Sequence, residues 1–253
     1  MKTLIVFAKA PVKGMVKTRL MENTPLNEES ILLLYRSFLE DILGVAGRSC
    51  AEKIILNFTP SDMADEMRAL TDEVLKGKSF ELLPQSGDNF HERITSSFEY
   101  AKSVGSTSTV MIGSDSPTLK TSLIDSAFSI LERDGGSVLG PSGEGGIYLI
   151  AIDPMLELNY DEIFFGGAEL INFSRAVEIK GAHLTLLEEV TDVDIASDLV
   201  TLISIVESMK SARFTGDGFP SKTAETIGRL RLGVSQADGT RGKVLTMEAA
   251  EVN

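Results

Sequence analysis

The sequence predicts an α/β fold built on a mostly parallel sheet, and three observations carry that reading. Short apolar runs of strand length alternate along the chain with segments of helical periodicity, the pattern of successive βαβ units. With 253 residues, 43% of them hydrophobic, the chain can bury the core of one large α/β domain, or of one domain with an appendage. The first apolar run, Leu4 to Ala8, passes straight into a Pro/Gly loop, Pro11 to Gly14, as a buried strand does where it leaves a sheet.

Strands are predicted at Thr3–Ala8, Lys53–Thr59, Phe80–Pro84, Thr109–Gly113, Gly136–Leu139, Gly146–Ile152 and His183–Leu187. The first helix is predicted over Asn27–Val45, where Ile31, Leu34, Tyr35, Phe38, Leu39 and Ile42 recur at helical spacing. Asn27 is placed to cap its start, and Gly44 and Gly47 fall near its end. Further helices are predicted over Ser61–Leu75, Asn89–Val104, Lys120–Arg133, Ala168–Lys180 and Ala196–Lys210. From Arg213 the composition changes to a Gly/Pro loop and a short polar remainder. This divides the chain into a domain of residues 1–212 and a C-terminal extension of residues 213–253, expected to add a short helix and a strand pair or to stay mobile.

Charge sets the class of partner. The net charge is -13, yet the first twenty residues hold Lys2, Lys9, Lys13, Lys17 and Arg19 and no acid. A local basic loop on an acidic protein suits an anion such as a nucleotide's phosphate, whereas a nucleic-acid polymer needs broad positive surface. Nucleic acid is therefore not expected as a partner, nor is a membrane, because no apolar stretch approaches the roughly 20 residues of a spanning helix. A single Cys50 forms no internal disulfide, which fits the cytoplasm.

Three loops carry candidate chemistry. In the first, Gly14 lets the backbone approach a ligand, and Lys17 and Arg19 are candidates to neutralise phosphate oxygens. The run Gly14-Met15-Val16-Lys17-Thr18 fails the Walker A pattern, which needs glycine directly before the lysine. A solvated basic turn would read the same way. In the second loop, Val110 to Gly113 ends in Ser114-Asp115-Ser116-Pro117, aiming Asp115 beyond the carboxyl end of a strand, where a carboxylate can bind Mg²⁺ or Mn²⁺. An Asx turn or a helix cap is the alternative for Asp115. In the third, Asp192-Val193-Asp194 would put both carboxylates on one side of an extended segment, either able to complete a cation site with Asp115. Asp198 reads as a first-turn helix acid. The glycine-rich turn Gly140-Pro141-Ser142-Gly143-Glu144-Gly145-Gly146 could wrap a substrate or simply join two strands. His91, His183 and Cys50 read as structural.

Taken in order, Phe7-Ala8-Lys9-Ala10-Pro11 with Gly14 and Lys17-Thr18-Arg19-Leu20, Gln85 and Gly87 before Glu92-Arg93, Gly113-Ser114-Asp115-Ser116-Pro117, Gly140-Pro141 with Gly145-Gly146, and Asp192-Val193-Asp194 resemble a GT-A-type transferase family long known as a domain of unknown function. Its members are described as arsenosugar-biosynthesis glycosyltransferases, and the likeness covers about residues 1–210. The resemblance implies a Rossmann-like three-layer α/β/α nucleotide-diphospho-sugar transferase fold, a divalent metal (Mg²⁺ or Mn²⁺), a nucleotide or nucleotide-sugar donor and a small-molecule acceptor. It also implies nucleotide contacts at Ala8, Lys9, Ala10, Pro11, Gly14, Lys17, Arg19, Gln85, Gly87 and Ser114. The architecture is similar too to phospholactate or phosphoenolpyruvate guanylyltransferases of coenzyme F420 biosynthesis, which makes nucleotidyl transfer the alternative reaction.

Two departures stand out. Glu144-Gly145-Gly146-Ile147 stands where the family usually has Asp-Gly-Gly-Tyr, and Phe90-His91-Glu92-Arg93 stands for Leu-Gly-Glu-Arg. The expected chemistry is displacement at a nucleotide sugar's anomeric carbon or at a nucleotide phosphate. Asp115, Asp194 and Asp192 would hold metal, Lys17 and Arg19 would hold phosphate, and Glu144 would orient or deprotonate the acceptor, or serve only as a turn acid. The substitutions at Glu144 and Ile147 leave open a non-catalytic nucleotide-binding protein. A homodimer is likewise left open.

Overall fold

Seven apolar segments build one sheet: β1 (Lys2–Lys9), β2 (Lys53–Thr59), β3 (Phe80–Pro84), β4 (Ser108–Gly113), β5 (Ser137–Pro141), β6 (Ile147–Ile152) and β7 (Leu184–Leu186). The computed structural model describes residues 1–75, 78–237 and 242–248. Strand order is β3-β2-β1-β4-β6-β5-β7, and only β6 runs antiparallel to its neighbours. Both faces of the strands are apolar, as a sheet covered by helices on each side requires. Ile5, Ile55, Met111, Leu139 and Ile150 pack into one buried cluster, and their neighbours Leu4, Val6, Ile54, Leu56, Val110, Ile112, Val138 and Leu149 are buried as well.

The helices follow from the same patterning: α1 (Glu28–Arg48), α2 (Ala64–Val74), α3 (Phe90–Ser103), α4 (Thr121–Asp134), α5 (Tyr160–Phe164), α6 (Glu169–Ile179) and α7 (Ala196–Ser211). Helices α3, α5 and α6 supply Ile94, Tyr160, Ile163, Phe173 and Val177 to the cluster formed with Ile5 and Ile55. The result is the three-layer α/β/α architecture with a mostly parallel sheet that the sequence predicts.

The largest differences from the predicted bounds are at the end of the first helix and the start of the second. The first helix runs through Gly44 and Gly47 to Arg48, because Leu43, Val45 and Ala46, which flank Gly44, remain buried. A Cβ on Gly47 would stand 2.8 Å from Leu75 Cδ2, so this glycine marks close packing rather than a helix end. The second predicted helix begins as a 3₁₀ turn, Ser61–Met63, before α2. Asn27 caps α1 as expected, its Oδ1 accepting the Ser30 N–H at 2.9 Å.

By internal contacts the chain forms two compact units: residues 1–10, 43–114 and 119–190, which hold the large sheet, and residues 11–42, 115–118 and 191–253. The second has its own apolar core of Leu20, Leu26, Ile31, Leu34, Phe38, Val193, Leu199, Leu202, Ile203 and Val206, joined by Ala224, Ile227, Leu232 and Leu245. The last four come from α8 (Ser221–Arg229) and an antiparallel pair, β8 (Leu232–Gln236) and β9 (Lys243–Met247). Helix α8 is tied down at its first turn by Asp41 of α1, whose carboxylate accepts the Lys222 N–H at 3.0 Å and the Thr223 N–H at 2.8 Å. Burial pushes the pKa of Asp41 up against these hydrogen bonds, which favour its charged form. Residues 238–241 and 249–253 of the expected extension lie outside the described residues.

Candidate metal and phosphate site

The sheet order reverses between β1 and β4: after β1 the chain builds β2 and β3 on one side, then returns to β4 on the other. At such a switch point the loops leaving the two strands diverge and leave room for a ligand. In this chain those loops carry Lys17 and Asp115.

Leaving β1, the chain turns at Gly14, whose φ of +76° is left-handed, and reaches Lys17. Lys17 is itself left-handed, at φ 47° and ψ 36°, and precedes a 3₁₀ turn, Thr18–Met21. Leu20 in that turn is fully buried in the core of its unit and anchors the loop from below. The Lys17 side chain is only 6% exposed, and its Nζ lies 2.7 Å from Asp115 Oδ2 and 2.6 Å from Asp194 Oδ1. Arg19 is 71% exposed, with Nη1 3.9 Å from Asp194 Oδ2.

The acids are gathered by the Asp192-Val193-Asp194 alternation. Val193 is fully buried, and its N–H donates to the Asp115 carbonyl at 2.9 Å, so its flanking carboxylates point back toward Asp115. Oxygens of Asp115, Asp192 and Asp194 all lie within 4.8 Å of one another. Ser116, which the sequence reading did not single out, donates from Oγ to Asp192 Oδ1 at 3.4 Å. Asp198 is the first-turn acid expected of it, its Oδ2 accepting the N–H groups of Asp194 at 3.0 Å and Ile195 at 2.9 Å. Lys120, not Asp115, stands at the N-cap of α4.

Electrostatics mark the cluster. Burial, then the charge of Asp115, pushes the pKa of Asp192 up to about 6, with Lys17 pulling the other way. Burial works against the charge of Lys17, but Asp115, Asp194 and Asp192 outweigh it and hold its pKa above the ordinary lysine value. Three carboxylates around one ammonium make an all-oxygen donor set of the kind that suits Mg²⁺ or Mn²⁺. The residues fit a divalent ion in number, chemistry and spacing.

The other candidate residues, except Pro11, sit in the unit that holds the sheet. Ala8 and Ala10 are buried and Lys9 is exposed at the end of β1. Gln85 Nε2 donates to the carbonyls of Ala8 at 3.2 Å and Asn57 at 3.1 Å, tying together the ends of three neighbouring strands. Gly87 has φ +132°, and a Cβ there would stand 2.6 Å from Glu92 Cβ and 2.9 Å from Arg93 N. Ser114 is buried at the end of β4, and Glu144 is exposed on the 3₁₀ turn Gly143–Gly145 with φ 57°. Pro11 belongs with Lys17 by the unit division. Not all of the N-terminal charge serves the acid cluster: Lys13 pairs with Glu29 at 3.1 Å and Lys2 with Glu132 at 3.1 Å. His91 pairs with Asp161 at 3.3 Å, a contact between α3 and α5 that fits its structural reading.

Residues 43–167 match a sequence family described as an uncharacterized protein conserved in bacteria (DUF2064). No curated protein matches the chain. Among solved structures, a candidate nucleotide-diphospho-sugar transferase of Desulfovibrio desulfuricans aligns with TM-score 0.76 at 25% identity, over 91% of this chain and 96% of that one. The fold is that of nucleotide-using transferases. It is shared with a cytidylyltransferase of Leptospira borgpetersenii, at TM-score 0.54 and 12% identity over 90% of this chain and 94% of that one. A 4-diphosphocytidyl-2C-methyl-D-erythritol synthase of Anaerococcus prevotii matches at 0.53 and 14% identity, covering 81% and 96% respectively. No helix among the described residues is long and apolar enough to cross a membrane.

Proposed function

We propose that this chain is a metal-dependent transferase that moves a glycosyl group from a nucleotide sugar to a hydroxyl of a small acceptor. The observation that carries the proposal is the cluster of Asp115, Asp192 and Asp194 oxygens within 4.8 Å of one another around the Lys17 ammonium. The likeness to a candidate nucleotide-diphospho-sugar transferase supports the choice of donor.

In this reading Asp115, Asp194 and Asp192 would hold Mg²⁺ or Mn²⁺, which when bound offsets the negative charge that grows on the leaving diphosphate. Lys17 and Arg19 bind its phosphate oxygens, Lys17 as a mobile point charge and Arg19 as a planar fork open to solvent. Ala8, Lys9, Ala10, Pro11, Gly14, Gln85, Gly87 and Ser114 form the remaining nucleotide contacts. The bond broken is that from the anomeric carbon to the phosphate oxygen, whose electron pair leaves with the nucleoside diphosphate. The bond formed joins that carbon to the acceptor oxygen, and Glu144, exposed on its turn, orients the acceptor hydroxyl or takes its proton. Residues 1–212 carry this chemistry, with 213–253 as an extension. The exposed free thiol of Cys50 accords with a cytoplasmic protein.

The test is incubation of the protein and Mg²⁺ with a panel of nucleotide sugars and nucleoside triphosphates, plus candidate acceptors. Nucleoside diphosphate release from a nucleotide sugar is the expected outcome. Pyrophosphate release from a triphosphate would replace glycosyl transfer with nucleotidyl transfer of the phospholactate or phosphoenolpyruvate type. Binding of nucleotide with neither product would make the chain a non-catalytic binder.

A further inference from the structure

Of the two cations at the site Arg19 is largely solvated, whereas Lys17 is enclosed. Its side chain is 6% exposed, on a backbone at φ 47° and ψ 36° that L-residues seldom adopt, and its ammonium stands 2.7 Å and 2.6 Å from the two carboxylates. A strained backbone that delivers a long cationic side chain into an acid cluster points to function more than to stability. In the metal-free chain the ammonium partly neutralises three acids crowded into one space.

We propose that Lys17 is an internal counter-cation, seated between Asp115 and Asp194 in the metal-free protein and displaced from them when a divalent ion binds. This inference rests on the metal-dependent reading above and adds how the site is loaded. A divalent ion held by Asp115 and Asp194 would compete with the ammonium for carboxylate oxygens that lie 2.7 Å and 2.6 Å from Nζ. Repulsion between the two cations opposes their sharing those oxygens, and the flexible lysine stem is the partner able to move. The displaced ammonium then seeks an anion, and the phosphates of the donor supply one. Metal entry and phosphate capture by Lys17 thus become one exchange, so each ligand assists the other through this side chain as well as by direct contact. Arg19, solvated and 3.9 Å from Asp194, has no seat to vacate.

Two measurements test this with Mn²⁺ alone. Titration followed by electron paramagnetic resonance should show Lys17→Met binding Mn²⁺ at least tenfold more tightly than the parent chain, with Arg19→Met changed by less than threefold. Reductive methylation of the unmutated protein, read by peptide mass spectrometry, needs no variant to fold: Lys17 should be protected without metal and become reactive at saturating Mn²⁺. Equal or weaker Mn²⁺ binding by Lys17→Met, or unchanged labelling of Lys17 with the site filled, overturns the exchange while leaving a metal-dependent transferase intact. If neither protein binds Mn²⁺, the metal-dependent reading falls with it; nucleoside diphosphate binding, measured separately, then shows whether the nucleotide site survives.

Discussion

The loop carrying Lys17 and the turn carrying Gln85 and Gly87 both lie at carboxyl ends of strands, yet they employ their special residues in opposite ways. Around Gln85 the fold itself accounts for the residue types: the amide bridges the Ala8 and Asn57 carbonyls, and Gly87 is needed where a Cβ would strike Glu92. Around Lys17 it does not. A buried ammonium among carboxylates loses its hydration, and a hydrophobic replacement of similar volume is often as stable or more so. The contrast separates residues that conformation explains from residues that it does not, although both kinds belong to the same resemblance.

The sharpest way to break that contrast is Asp115→Asn. Loss of a carboxylate common to Lys17 and the proposed ion should cut nucleoside diphosphate release about a thousandfold or more, and circular dichroism should show the sheet and helices unchanged. Activity within tenfold of the parent would return Asp115 to a structural role. On the other side, Gly87→Ala should lower stability by about 2 kcal/mol or more in urea unfolding, because it combines a left-handed φ with a contact well inside van der Waals range. Its Mn²⁺ affinity per folded molecule should not change.

The smallest expected effect is a pH dependence. Asp192 must be ionised to act as a ligand, and its pKa stands at about 6, so Mn²⁺ affinity should drop as pH falls through that value, by up to about tenfold per unit below it. For the metal-free protein the sign is opposite. A carboxyl whose folded pKa is raised contributes stability that is fully present below its unfolded value of about 3.9 and is lost as pH rises through about 6. Isothermal titration of Mn²⁺ across pH 5 to 8, beside urea unfolding without metal, reads both slopes; a flat affinity profile would mean that Asp192 is not a ligand.

Much of the architecture is legible in the residues alone, because each strand of a sheet buried on both faces must be a nearly continuous apolar run. Thr109 to Gly113 and Gly146 to Ile152 show this directly. The five-residue α5 is too short to display a helical period, and it forms because Tyr160 and Ile163 find a place beside Phe173. Helix α8 and the β8–β9 pair carry too few large apolar residues to declare themselves, and they order by sharing the core of Phe38 and Leu202. The grouping of Asp115 with Asp192 and Asp194 follows from residue type and an alternating pattern. The Lys17 ion pairs do not, because a basic residue after a strand reads equally well as facing phosphate. Asp41 at the start of α8 is also silent in sequence, being 181 residues from its partner Lys222.

That shared core bears on any attempt to shorten the protein. Ala224, Ile227, Leu232 and Leu245 pack in the same apolar cluster as Leu20, the residue beside Arg19. Trimming the polypeptide after residue 212 would strip the underside from the very segment that positions both basic side chains, so a reduced version made for crystallography or engineering would forfeit geometry along with mass.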